Sequence, residues 1–185
     1  MATTFPGTTI EITKLEKGCS RQLFDGIFAT GGITLSQISV MTGLEPHVIQ
    51  NWVKRKYLTS PVNRVYSRQQ FARIIIINML REALQIDKIC ELIHVIGGVL
   101  EDPDDDLIKD NELYHLYVDM LSQGNINLED KKTVVAATEK AIASYTSTDD
   151  SSRKKVCKLL QIMLYAHASS RLKNSAEELF YTLDH

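Results

Sequence analysis

Glycine (9) and proline (4) are scarce among the 185 residues, and aromatics make up only 7%. So few helix breakers, beside long Leu- and Ile-rich stretches, point away from a sandwich or barrel and towards an all-α fold. Cysteine is scarce too. Cys19, Cys90 and Cys157 are odd in number and far apart, which indicates neither a disulfide framework nor a closed Cys-rich zinc site and fits a reducing cytoplasm. Long apolar runs are missing as well. Ile74 to Ile77 is broken at once by Asn78, whereas a bilayer span needs about 20 apolar residues. The opening Met-Ala-Thr-Thr-Phe-Pro-Gly has no basic segment leading into an apolar one, so no signal peptide is expected. What remains, 44% apolar and 24% charged residues, is the composition of a soluble globular protein of one compact domain or two small ones.

A net charge of -2 hides an uneven distribution. Residues 1 to 100 carry 11 Lys/Arg against 7 Asp/Glu, and the remainder 10 against 16. Within the first half, Pro46 to Arg81 holds seven cations (Lys54, Arg55, Lys56, Arg64, Arg68, Arg73, Arg81) and no acid. Such a cluster is the footprint of a polyanion-binding surface, or else a face whose acidic partners lie elsewhere in the fold.

Local patterns predict a run of helices. Leu23, Phe24, Ile27 and Phe28 mark a short amphipathic helix from Cys19 to Ala29, stopped by Gly31-Gly32. Thr34 is a helix N-cap before Leu35, Ile38 and Met41, and Gly43 ends that helix. Pro46 opens the next, with Val48, Ile49, Trp52 and Val53 inward. His47, Gln50, Asn51 and Lys54 are spaced i, i+3, i+4, i+7 and share one polar face. A short helix, a tight turn and a second helix with such a face is a helix-turn-helix arrangement, whose second helix enters the DNA major groove. The β-branched, turn-prone stretch Thr59 to Tyr66 can form a small wing, and Ser67 caps a helix with apolar residues nearly all round. A further helix, Ile86 to Ile96, ends at Gly97-Gly98.

From Thr34 to Ile93 the chain resembles the MerR-type winged helix-turn-helix transcription regulators. The likeness runs through Leu35-Ser36-Gln37-Ile38-Ser39, Met41-Thr42-Gly43-Leu44, Tyr57-Leu58, Arg64-Val65-Tyr66-Ser67 and Arg81-Glu82-Ala83. The stretch Met41 to Arg55 with its Val-Asn-Arg-Val-Tyr-Ser wing is similar to an uncharacterised bacterial family of MerR-like proteins with a helical C-terminal half. The resemblance implies a winged DNA-binding fold and a homodimer joined by the segment after it. Three features depart from the pattern: typical members carry an arginine at Gln50, tyrosines at Asn51 and Trp52, and a glycine near Leu84-Gln85.

On this reading the planar amides of Gln50 and Asn51 complement the N6 and N7 edge of adenine. Lys54, Arg55, Arg64 and Arg68 would hold phosphates, with His47 as a further phosphate contact. Trp52 belongs to the core. Cys90 and His94 stand i, i+4 on one helix, but no second pair supports a metal, and the apolar neighbours of Cys90 make it a core thiol. No nucleophile, base and orienter recur at a recognised spacing and no Gly-rich loop follows a strand, so neither an enzyme nor a cofactor is expected.

The expected organisation is an N-terminal arm and short helix (1–32), a winged helix-turn-helix domain (33–97), an acidic linker (98–110) and a helical domain (111–185) for dimerisation and an effector or partner surface. The last comprises four short helices: one around Leu113 to Met120, one capped by Asn127, one through Val156 to Leu172 after a Thr146 to Ser152 loop, and one around Ala176 to Leu183. The predicted function is a cytoplasmic bacterial transcription regulator on double-stranded DNA. The alternative is a protein-interaction module that kept the winged fold and lost DNA binding; a weaker one is a small-molecule sensor.

Overall fold

The computed structural model describes residues 3–97, 107–145 and 150–183. The run Glu101 to Asp106 and most of the loop before Asp150 lie outside the described residues. Within them the fold is all-α with a small β-wing. The order is β1 (Thr3–Thr4), β2 (Glu11–Ile12), α1 (Cys19–Ile27), β3 (Ile33–Thr34), α2 (Leu35–Thr42), α3 (Pro46–Lys54), β4 (Val65–Tyr66), α4 (Arg68–Leu80), α5 (Ile86–Gly97), α6 (Asp110–Leu121), α7 (Lys131–Ala141) and α8 (Asp150–Tyr181). None of these helices is long and apolar enough to cross a membrane.

Helix starts follow the capping chemistry. Thr34 and Ser67 each close a capping box, with Gln37 and Gln70 reaching back to the cap amide. Gly43 ends α2 in the left-handed region (φ 70) and its amide donates to the Ser39 carbonyl, a conformation that glycine adopts without steric penalty. Pro46 sits in the first turn of α3, where a missing N–H leaves nothing unpaired.

Helix α4 is the centre. Eight of its 13 residues are buried, Phe71, Ala72, Ile74 to Ile77, Met79 and Leu80. It is covered by α2, α5, α6 and α8 of the same chain, so its apolar circumference needs no second subunit. Each fully buried isoleucine contributes on the order of 2 kcal/mol. An aromatic group links the halves at one end: Phe24 lies 5.4 Å from Phe71, 5.8 Å from Tyr114 and 4.8 Å, edge-on, from His115. Arg73 of α4 and Asp110 of α6 also join the halves, forming an ion pair at 2.7 Å with both side chains nearly buried. One apolar cluster thus runs from Phe5 to Ala166.

The first residues form a hairpin, Thr3↔Ile12 and Thr4↔Glu11, with Phe5 and Pro6 buried behind it. Gly7 (φ 74) passes so close to α4 that a Cβ there would stand 2.2 Å from the Ile75 carbonyl oxygen. Asn78, which interrupts the isoleucine run, turns its amide to this junction and donates from Nδ2 to the carbonyls of Gly7 and Thr42. The residue that rules out a membrane span is therefore the bolt joining the hairpin, the end of α2 and α4.

Two local expectations in the C-terminal half are corrected. Asp130, not Asn127, caps α7, accepting from the Lys132 amide; Asn127 instead accepts from the Glu129 amide in a short turn. The expected last two helices are one, α8, of 32 residues. Lys173-Asn174-Ser175 resembles a stop and a new cap, yet on an exposed helix such residues cost only tenths of a kcal/mol each, roughly, and do not end it.

Candidate nucleic-acid interface

Helix α3 buries Ile49 and Trp52 and half-buries Val48 and Val53, while His47, Gln50, Asn51 and Lys54 are all exposed. The predicted polar stripe thus stands clear of the C-terminal helices. The α2–Gly43–α3 unit buries Ile38, Leu44 and Ile49 almost fully and packs on α4 through α2, and its turn is held by Asn78. The face is carried on a packed base.

The wing is a two-residue hairpin. Val62 and Val65 exchange both backbone hydrogen bonds, and β4 continues by pairing Val65 with Thr34 and Tyr66 with Ile33. Asn63 (φ 51) and Arg64 (φ 66) occupy the two central positions, both left-handed. Such a turn favours Asn followed by Gly. Asn63 satisfies the first preference, whereas an exposed arginine takes the place of the glycine.

The end of α3 repeats this substitution. The Tyr57 amide donates to the Trp52 carbonyl and the Lys56 amide to that of Val53, the paired bonds of a Schellman helix end. Its left-handed position belongs to Lys56 (φ 61), also exposed. Lys56, Asn63 and Arg64 are the non-glycine residues at positive φ among those described. A side chain with a Cβ in this conformation costs about 1 kcal/mol. Two cations, one at the end of α3 and one at the wing tip, are thus held where folding alone favours glycine. Lys56 was not singled out among the phosphate contacts, although a signal exists: α3 ends after Lys54 with no glycine between Arg55 and Tyr57 to take the left-handed turn.

The remaining cations of the acid-free segment divide. Arg55 reaches Asp87 of α5 at 3.6 Å and lies over the Tyr57 ring, 4.7 Å from its centroid, yet stays 57% exposed. The Tyr57 hydroxyl also donates to Asp87, and this bond raises the phenol pKa. Arg68 pairs with Asp25 of α1 at 2.6 Å and lies over the Phe28 ring. Arg73 is consumed by the buried pair with Asp110. Among the described residues no ion pair engages Lys54, Lys56, Arg64 or Arg81. The acidic partners lie outside the segment, on α1, α5 and α6, and neutralise three of its seven charges.

Cys90 is half-buried, which pushes its thiol up to about 11. Among the described residues no group of three potential ligands surrounds it or His94.

Residues 32–117 match the family model described as Domain of unknown function (DUF1836). The matched stretch starts one residue before β3 and continues through the wing, α4 and α5 to Tyr117 in α6, so it includes the Arg73–Asp110 tie. No curated protein and no solved structure matches the chain.

Proposed function

We propose that the winged unit binds double-stranded DNA, with α3 in the major groove and the Arg64 wing and Lys56 on the flanking phosphates, as a transcription regulator of MerR-like design. The observation that carries this reading is the pair of exposed cations at left-handed positions, Lys56 at the C-terminal end of α3 and Arg64 at the tip of the wing. A conformational cost of about 1 kcal/mol at each is offset only if the charge itself is used. Gln50 and Asn51 supply amides for adenine edges, and Lys54 a third free cation. Arg55 and Arg68 are retained as secondary contacts, since exposed ion pairs contribute little and exchange readily.

The unit acts as a homodimer. From Arg171 to Leu183 every residue is exposed, including Leu172 (71%), Leu179 (69%), Phe180 (56%) and Leu183 (60%). Within α8, Leu172, Ala176 and Leu179 are spaced 4 and 3 apart, the repeat of a helix seam that takes a second helix, and Leu183 follows four residues on, just past the helix end. A second copy of this stem is the occupant that the spacing suits, and pairing would couple two half-sites.

The test is binding to a mixed-sequence duplex at 50 and 200 mM salt. Three phosphate contacts by Lys54, Lys56 and Arg64 give a logarithmic salt slope of about -2.7, which is about a 40-fold loss in affinity for each winged unit. Lys54→Ala with Arg64→Ala should flatten the slope, and Leu179→Lys should leave a single 20.9 kDa species in sedimentation equilibrium. No retardation at low salt would overturn the DNA reading and favour a protein-interaction module on the same fold.

A further inference from the structure

A second polar concavity lies away from α3, where the N-terminal hairpin, the end of α4 and the root of the α8 stem meet. It has a volume of about 640 Å³. Its charged lining is Arg81 and Glu82 from the turn after α4 and Arg171 from α8, an excess of one positive charge. His167 and Asn174 of α8 share the wall. Arg81 and Arg171 are exposed and no ion pair engages either among the described residues.

His167 is an uncharged imidazole set against a buried tyrosine. Its Nδ1 lies 2.8 Å from the hydroxyl of Tyr117, whose own burial pushes its phenol well up, so the tyrosine keeps its proton. A protonated hydroxyl can donate to Nδ1, which leaves the ring hydrogen on Nε2, the nitrogen on the opposite side and the tautomer that the proposed site uses. Burial and the nearby Arg171 charge push the imidazole down to about 4, so it stays uncharged at neutral pH. Two guanidiniums and an uncharged imidazole in a concave setting suit an oxyanion better than a neutral or cationic group.

We propose that this cleft binds a small organic anion, whose carboxylate or phosphate lies between Arg81 and Arg171 and accepts from His167 Nε2–H. An occupant there spans the end of α4, next to the Asn78 junction beneath the helix-turn-helix, and the root of the stem. That bridge gives the ligand a mechanical route to the relative set of the winged unit and the stem. The site is distinct from the α3 face and stands whether or not that face binds DNA.

Calorimetric titration of the full chain, without DNA and at constant ionic strength, with succinate and separately with inorganic phosphate tests the assignment. Saturable binding with a Kd of about 1 mM or tighter is expected for at least one of them. Which one binds identifies the carboxylate or the phosphate as the preferred group. Arg81→Gln and Arg171→Gln should each weaken it about tenfold, whereas Arg153→Gln, on a different cleft, should not. The imidazole ¹⁵N resonances of His167 should move with ligand and those of His115 stay. The proposal fails if neither anion saturates, if the Arg81→Gln/Arg171→Gln double variant binds as the native chain does, or if Arg153→Gln weakens binding equally.

Discussion

Helix α4 buries eight of 13 residues and is wrapped by four other helices, whereas α3 buries two of nine and turns His47, Gln50, Asn51 and Lys54 outward. Both lie in the same winged unit and carry basic residues from the same acid-free segment. Their cations nevertheless meet opposite fates. Arg73 of α4 is locked to Asp110 of α6, while Lys54 of α3, Lys56 and Arg64 have no acidic partner in an ion pair among the described residues. A run of like charge in sequence is therefore not one surface. Packing sorts it into an internal tie, two exposed pairs that can exchange, and a free set that meets a polyanion first.

The contrast can be broken most severely from the buried side. Phe71→Ala removes a fully buried ring from α4 and should lower unfolding stability by about 4 kcal/mol. Gln50→Ala with Asn51→Ala on α3 should change it by less than about 0.5 kcal/mol. Urea denaturation of both variants checks the difference; similar losses would mean that α3 is not merely presented.

A slightly smaller effect is expected from pH. His115 is buried against Phe24, with Nδ1 2.9 Å from the Ser20 hydroxyl. Burial, helped by the Arg21 charge, pushes its pKa down from 6.5 to about 4. Between these values the unfolded chain binds the extra proton, so stability is complete above pH 6.5 and falls as pH drops towards 4. The loss should reach about 3 kcal/mol for this group, with His167 adding in the same direction. Denaturation midpoints at pH 7 and 4.5 should separate accordingly, and His115→Gln should narrow the gap.

The smallest change sharpens the comparison. Lys56→Gly and Arg64→Gly relieve left-handed side chains, and each should raise stability by up to about 1 kcal/mol. Each should also reduce the DNA salt slope by about 1. Opposite signs in melting and binding measurements would separate the charge from the fold; equal signs would assign both residues to folding.

Local chemistry made much of this legible. Thr34, Ser67 and Gly43 mark helix ends through bonds made within four residues, Pro46 through the donor it lacks, and the α3 stripe follows from 3.6-residue periodicity. What was hidden depends on partners distant in sequence. Asp25, Asp87 and Asp110 claim Arg68, Arg55 and Arg73 across 43, 32 and 37 positions. Phe5 and Gly7 are drawn inward by a groove that exists only once α4 is assembled. The continuity of α8 was obscured for another reason: Asn174 and Ser175 are neutral to an exposed helix and decisive only at its end.

The left-handed backbone at Lys56 and Arg64 also bears on how this sequence can drift. Glycine at either site is reachable by mutation and eases the local geometry, so a lineage freed from any demand for positive charge there would be expected to acquire it. Descendants bearing glycine at both sites would mark the branches where the winged surface has fallen out of use.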